Sequence, residues 1–460
     1  MSLRPVRYSA AWVLPVSAPP IRDGAVLVDA RGRIAAVGPA AAVPTPDDAE
    51  SLDLGEAALL PGLVNTHCHP ELAAFRGLLD DLPFDDWIPT LLAAKRGSGL
   101  SQDEYVLAAK WTCAEALAAG MTTLGATEAS AAAAEACREA GMRALVYRET
   151  FGPDPAQAEA SLAELAAAVE SLRERETDLV HIGVSPHAPY TVSDRLFRMV
   201  ADYAIAESLP VAVHAAEGLV EDQLVREGVG RFAAGLNARG IATPRRAAST
   251  VALLEETRIL RARPLVIHAV RVDAEDRRRL SDHGAAVAHC PIANARLGHG
   301  TAPLLEMLER GITVGLGTDS VASNNRLDLL EEARAAQLGQ RVRHASGTIL
   351  PADELLRLAT IDGARALGVD GRVGTLEPGK DADLCAVSFA GSNVVPVHDP
   401  VSALFHAARG SDVVLAAVRG RVLFHRGQFL TLDVAEMRPR MDAAAAALRR
   451  ARDEWRARLA

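Results

Sequence analysis

Leu60-Pro-Gly-Leu-Val-Asn-Thr-His-Cys-His69 opens as a short apolar run and closes on two histidines separated by one residue. A run this short, punctuated by Pro-Gly and followed by polar residues, predicts a buried strand. Residues i and i+2 of a strand face the same way, so His67 and His69 can reach one point in space. Cys68 faces the other side and is expected as a packed thiol. Seven further runs repeat the pattern at 122–125, 144–147, 180–184, 211–213, 265–267, 286–288 and 312–316. Ala-rich helical stretches separate them, for example 104–119, 156–175 and 194–207. This alternation predicts an α/β chain whose eight strand–helix units close into a (β/α)8 TIM-type barrel. An open doubly wound sheet is the rival, but no GxGxxG follows the first strand.

The two ends of the chain read differently. Residues 25–28 and 34–37 flank a turn, Asp29-Ala-Arg-Gly32, and predict a hairpin. Residues 382–387 read as a strand, and 413–418 with 421–424 as a second hairpin across Arg419-Gly420. Together the ends predict a small β-sandwich domain of residues 1–58 and 366–430. The barrel then takes 59–365, and 431–460 is a C-terminal helix. Near the start, Arg4 and Arg7 precede Ala10-Ala-Trp-Val-Leu14 and Val16-Ser-Ala18, which imitates a secretory signal. Pro15 interrupts that run, so a first strand is the expected reading.

Composition narrows the classes. The 460 residues carry 49 basic and 59 acidic side chains, a net charge of −10, which argues against nucleic acid or an anionic membrane as partner. Five cysteines without a CxxC pair form no disulfide framework, and a reducing cytoplasm fits them best. No apolar run approaches the roughly 18 residues of a membrane span. Only Lys95, Lys110 and Lys380 are lysines; every other basic side chain is an arginine.

In a barrel, chemistry gathers at the C-terminal ends of the strands. Six of the thirteen histidines fall there: His67, His69, His187, His214, His268 and His289. The eighth strand runs into Asp319. His67, His69, His214 and Asp319 make an N3O set suited to zinc, with Fe2+ the other metal it admits. An open position would hold a water whose pKa the metal lowers toward neutrality. Glu217, three residues after His214, is placed to shuttle protons. His268 is placed to orient or polarise that water, and Asp319 is a second acceptor for its proton. No phosphate-binding loop and no GxSxG elbow competes with this reading. Trp87 is either a packing residue or a plate over a substrate ring.

Six motifs resemble the amidohydrolase superfamily. They are Pro61-Gly-Leu-Val-Asn-Thr-His-Cys-His69, Pro186-His-Ala-Pro-Tyr190, Val213-His-Ala-Ala-Glu217, His289-Cys-Pro-Ile-Ala-Asn294, Gly317-Thr-Asp-Ser320 and Gly374-Thr-Leu-Glu-Pro-Gly-Lys-Asp-Ala-Asp383. The branch they are similar to holds S-adenosylhomocysteine/methylthioadenosine deaminases, aminodeoxyfutalosine deaminases and s-triazine chlorohydrolases. The resemblance implies His67, His69, His214 and Asp319 as ligands of one divalent metal, Glu217 as proton shuttle and His268 beside the attacking water. It implies substrate contacts from His187 and Arg148, with His289 and Asn294 shaping the pocket. For Arg148, pairing with a nearby acid such as Glu149 is an equal expectation.

The implied reaction is attack of metal-bound hydroxide on the amine-bearing carbon of an N-heterocycle. The expected substrate is a 6-aminopurine nucleoside of the aminodeoxyfutalosine or adenosine/S-adenosylhomocysteine type. Chlorohydrolase and cyclic-amide hydrolase activities are the alternatives. A non-catalytic scaffold is disfavoured, because every ligand and the glutamate are present.

Two departures stand out. The carboxylate that adenosine-type members use to grip a ribose has no counterpart at Ala93-Ala-Lys-Arg-Gly97, and the usual serine before Asn294 is Ala293. The stretch from Gly228 to Pro244, inserted after Glu217, looks like the aminodeoxyfutalosine type, with Arg231, Phe232 and Arg245 expected in a lid or on a surface helix. Binuclear superfamily members bridge their metals with a carboxylated lysine at a strand end. None of the three lysines falls at one, which implies a single metal. Barrels of this kind often pair, so a homodimer is the implied assembly.

Overall fold

The computed structural model describes residues 4–459. The chain opens with β1 (Val6–Val13), β2 (Ile21–Val28), β3 (Ile34–Pro39), β4 (Glu50–Asp53) and β5 (Ala57–Pro61). The N-terminal run is therefore a strand, paired antiparallel with β2. Eight strands follow: β6 (Leu63–Cys68), β7 (Met121–Glu128), β8 (Arg143–Thr150), β9 (Val180–Pro186), β10 (Ala212–Ala215), β11 (Leu265–His268), β12 (Ala286–His289) and β13 (Val314–Leu316). Seven of them overlap the expected runs; the first, expected over 60–65, begins only at Leu63, because Leu60 and Pro61 belong to β5 of the terminal sheet. The helices Gln102–Ala118, Ala158–Arg173 and Asp194–Ala206 match the three quoted stretches.

The fold is mixed α/β with parallel sheets. β6-β7-β8-β9 and β10-β11-β12-β13 are two four-stranded sheets in chain order, each pair parallel. Backbone hydrogen bonds cross both seams between them. Val184 N donates to Pro210 O at 2.9 Å and His214 N to His187 O at 2.9 Å on one side. On the other, Thr318 N and Asp319 N both donate to His67 O at 3.0 Å. Two glycines of β13 and its exit permit that second seam. A Cβ on Gly315 would meet Thr66 Cγ2 at 2.4 Å, and one on Gly317 would lie 3.0 Å from His67 Cβ. Small residues here let Asp319 come up against His67.

Alternation along the strands sorts the core. On β8, Leu145 and Tyr147 join Val64, Ala212, Ile267 and Ala288 in one central cluster. Ala144 and Val146 face the other way, into the cluster under the helices.

The chain closes with β14 (Leu384–Ser388), β15 (Val413–Val418), β16 (Arg421–His425), β17 (Gln428–Phe429) and the helix Val434–Leu459. β14 pairs antiparallel with β5, so both chain ends build one nine-stranded sheet, ordered β17-β16-β15-β14-β5-β1-β2-β3 with β4 on β1. Its strands alternate between two cores. Leu59, Leu384, Ala386 and Leu415 join the sheet's own apolar cluster. Leu60, Cys385, Val387 and Ala416 join the cluster beneath the helices. The five cysteines are free and buried, Cys68 among them. Among the described residues no helix is long and apolar enough to cross a membrane.

Candidate active site

Strict alternation from the centre-facing Val64 would turn Cys68 inward and both histidines outward. The register of β6 against β7 shifts between Asn65 and Cys68, and the shift reverses the parity. Cys68 packs into the outer cluster. His67 and His69 meet in the centre with ring centroids 4.9 Å apart. His214, at the end of β10, stands 5.0 Å from His67 and 5.4 Å from His69 by the same measure. Asp319 Oδ1 lies 3.4 Å from His67 Nε2 and 3.7 Å from His69 Nε2.

Neighbours fix each ligand atom. His214 Nδ1 donates to His187 O at 3.1 Å, so that nitrogen carries the proton and Nε2 keeps its lone pair. His67 Nδ1 lies 3.2 Å from Thr127 Oγ1. Asp319 Oδ1 accepts from Ser320 N and Oδ2 from Ser323 Oγ, both at 2.7 Å. Burial pushes the imidazoles down, His69 to about 4 and His214 well below its ordinary value. Burial pushes the Asp319 carboxyl up, but His67, His268 and His69 outweigh it and hold it well below the usual carboxylate range. The cluster is thus three neutral imidazoles and one carboxylate. His67 Nε2 is buried and makes no hydrogen bond, with Asp319 Oδ1 standing 3.4 Å away. A buried, unpartnered nitrogen is costly unless it binds something, and this donor set fits a divalent metal.

Glu217 lies beside the cluster. Tyr190 Oη donates to its Oε2 at 3.2 Å, and its Oε1 is 3.2 Å from His299 Nε2 and 3.5 Å from His268 Nε2. Burial raises its pKa, yet His268 and His299 more than reverse the effect, so the carboxyl is lowered and ionised. His268 adopts a left-handed backbone with φ of 75°, and its Nδ1 sits 2.9 Å from Asn294 Oδ1.

A cavity of about 750 Å³ opens over these groups. His187 and Trp87, two of the five expected substrate contacts, line it. Arg148, His289 and Asn294 do not reach its wall. Arg148 shares the outward parity of Ala144 and Val146, and its guanidinium donates to the Ala129 carbonyl. Asn294 is fully buried behind His268. His289 is buried with neither ring nitrogen partnered, and burial lowers it to about 4.

Other residues come to the wall that the sequence reading passed over: Glu149, Glu71, Tyr190 and Lys95. Glu149 was discernible, because it continues the inward parity of Leu145 and Tyr147. His299, next to Gly298 and Gly300, carried no such signal. From the stretch after Glu217, the helix Arg231–Asn237 lies along the cavity. Phe232 stacks on Tyr190 at 4.5 Å and 23°, and Arg231 pairs with Asp85 and Asp86. Arg245 is exposed and stands apart from that wall.

The sequence pattern of the amidohydrolase family matches residues 58–423. The chain belongs to the amidohydrolase family. It is 37% identical over 422 residues to a 5-methylthioadenosine/S-adenosylhomocysteine deaminase of Syntrophobacter fumaroxidans, covering 91% of this chain and 92% of that one. A Moorella thermoacetica protein of the same name is 34% identical, covering 92% and 95%. Among solved structures, an adenosine deaminase from Xanthomonas campestris with bound zinc superposes with a TM-score of 0.85 at 27% identity, over 96% of this chain and 98% of that one. Atrazine chlorohydrolase from Arthrobacter aurescens shares the fold, with a TM-score of 0.83 at 24% identity over 96% and 100%. This amidohydrolase is a hydrolase of carbon–nitrogen bonds other than peptide bonds, of the deaminase kind.

Proposed function

We propose that this amidohydrolase deaminates a 6-aminopurine nucleoside-like substrate of the adenosine/S-adenosylhomocysteine or aminodeoxyfutalosine type, using one divalent metal. The observation that carries the proposal is Glu217: a buried, ionised carboxylate touching His268, next to an N3O cluster and open to the cavity. The chain's similarity to methylthioadenosine/S-adenosylhomocysteine and adenosine deaminases supports the purine nucleoside.

His67, His69, His214 and Asp319 would hold the metal, zinc or Fe2+. When bound, it supplies Lewis acidity that makes a water nucleophilic near neutral pH. The protein does the rest. Glu217 would take one proton from the attacking water and pass it to the ring nitrogen; the water's second proton would go to the amino group, which leaves as ammonia while the ring carbon keeps the oxygen. His268 Nδ1 donates to Asn294 Oδ1, which leaves its Nε2 directed at Glu217 Oε1, 3.5 Å away, where it would help orient the attacking water. His187 and Trp87 hold the heterocycle, and Phe232 with Tyr190 closes the wall against water.

The lysines support one metal. Lys95 stands in the helix Phe84–Gly97, Lys110 pairs with Glu139, and Lys380 donates to the Asp370 carbonyl. The two seams of backbone hydrogen bonds favour a single (β/α)8 barrel. The close approach of Gly32 to Arg419 O favours a terminal sheet that curls into a sandwich. The division 1–58 with 366–430, 59–365 and 431–460 remains our reading of the domains, with β5 carrying the first boundary to Pro61. A homodimer in the cytoplasm completes the proposal.

Metal analysis together with ammonia release from aminopurine nucleosides, pterins and triazines tests it. The expected result is about one equivalent of zinc or iron per chain and ammonia from the nucleosides. Protein loaded with metal that frees no ammonia from any of them overturns the deaminase reading. Chloride release from a chlorotriazine would favour the chlorohydrolase alternative.

A further inference from the structure

Two carboxyl groups of the cavity wall have no task in the chemistry above. Glu71, from the short helix Pro70–Phe75, is 2% exposed and Glu149, at the end of β8, is 7% exposed. Both line the cavity. Glu71 Oε2 and Glu149 Oε1 are buried and meet no hydrogen-bond donor. His187 Nε2 lies 3.9 Å from Glu149 Oε1.

Two buried acids away from this wall are each anchored by three donors, although Glu128 Oε1, like Glu71 Oε2 and Glu149 Oε1, is buried without one. Glu128 accepts from Ala132 N, Ala133 N and Ser130 Oγ, which ties it to the start of the helix Ala132–Ala140. Glu221 accepts from Ala216 N, Glu217 N and Thr250 Oγ1. A carboxylate oxygen buried without a donor costs free energy in the empty protein, and a ligand that brings the donor recovers it. Glu149 also lies within metal-ligand distance of His69 and His214. Those two imidazoles already belong to the N3O set with His67 and Asp319, so Glu149 is left facing the cavity.

What is missing from this wall is donors rather than positive charge. Lys95 Nζ already stands 3.8 Å from Glu71 Oε1. Two carboxyls on one wall, at least one with a cation at hand, suit a neutral group with adjacent O–H donors. We propose that Glu71 and Glu149 are specificity-determining residues that receive the vicinal hydroxyl groups of the substrate's sugar. They would do the work of the carboxylate missing from Ala93-Ala-Lys-Arg-Gly97, from different elements of the fold. The inference takes its probes from the nucleoside reading above, but it is tested by binding, apart from turnover.

The experiment is calorimetric titration of the metal-loaded Glu217→Gln protein with adenosine, 2′,3′-dideoxyadenosine and 5′-amino-5′-deoxyadenosine. Adenosine is expected to bind about 10- to 100-fold more tightly than the dideoxy compound, the worth of two hydrogen bonds. Adding Glu149→Gln or, separately, Glu71→Gln should lower that ratio at least about threefold, because one hydroxyl then meets an amide, a weaker acceptor, in place of a carboxyl. Should one variant fail to fold, the other still carries the test. A dideoxy compound that binds as well as adenosine, or no nucleoside binding at all, overturns the proposal. So does a hydroxyl preference unchanged in both variants. Tighter binding of the 5′-amino compound that Glu149→Gln abolishes marks a cation site and overturns it too. Hydroxyl discrimination in binding without ammonia release by the unmutated enzyme leaves this inference standing and removes the deaminase reading.

Discussion

Single side chains carry the clearest consequences. Glu217 is held ionised in a buried place by His268 and His299, so replacing it with glutamine keeps its shape and removes its basicity. Glu217→Gln should retain the metal and lose at least about a hundredfold in kcat, read by metal analysis and ammonia release side by side. Near-normal turnover would remove its role as proton shuttle. Asn294 acts through His268, whose Nδ1 it meets at 2.9 Å. Asn294→Ala should lower kcat roughly tenfold with little change in KM, while Asn294→Asp, which keeps the acceptor, recovers most of it. Equal loss in both variants would mean that packing alone matters there. Glu149 tests the electrostatics of the wall. Burial, and then the charge of Glu71, pushes it up to about 8. A carboxyl whose pKa is raised on folding contributes stability below its unfolded value, near 4.3, and loses it as the pH rises toward 8. Glu149→Gln does not titrate, so the melting temperature of the metal-free variant should gain on the parent between pH 5 and pH 9. The gain is on the order of several kcal/mol, and a constant offset across that range would refute the shift.

At the scale of elements, the strands were legible and their parity was only partly so. Each of the eight central strands is a short apolar run between breakers, and burial on both faces leaves few other readings. The i, i+2 rule brought His67 and His69 together, but it succeeds because the register shift at Asn65 to Cys68 turns both inward, which no local residue announces. The same rule, carried one residue past Tyr147, picks Glu149 over Arg148. Neither Asn294 nor His299 could be assigned a task from local pattern. Their partners, His268 and Glu217, are brought to them by other strands. The helix Arg231–Asn237 was expected as a lid or a surface coat, and the structure sets it along the cavity through Phe232. Stacking on Tyr190 holds that helix end and, through Tyr190 Oη, reaches Glu217. Phe232→Ala should raise KM for a nucleoside about three- to tenfold, the worth of an aromatic pair, with a smaller change in kcat. An unchanged KM would make the helix a surface coat after all.

Across the whole molecule, the motif at 374–383 resembles its family yet lines no part of the cavity. It fastens the terminal sheet to the central strands. Arg143, the first residue of β8 and 2% exposed, places Nε 2.9 Å from Asp383 Oδ2 and Nη2 2.9 Å from Asp381 Oδ2. Asp383 Oδ1 also accepts from Arg419 N at 2.8 Å, and Asp381 keeps a second partner in Arg372 at 3.0 Å. One guanidinium thus ties a central strand to the segment leading into β14 and, through Asp383, to the turn after β15. Removing one member of a buried, hydrogen-bonded charge set leaves the others uncompensated, at about 3–5 kcal/mol. Arg372 shields Asp381 from part of that loss, so Arg143→Ala should fall at the lower end of the range. Because the group is buried, added salt should leave the deficit in place, unlike the loss of an exposed pair. Arg143 and Glu149 stand at opposite ends of β8, about 20 Å apart along the strand. The folded variant should therefore keep its kcat and KM within about twofold while its melting temperature drops, since the N-terminal end of such strands serves stability. A variant that melts normally would show the terminal sheet and the central strands held by packing alone. One that stays folded but loses turnover would tie this clamp to the site at the far end of the strand.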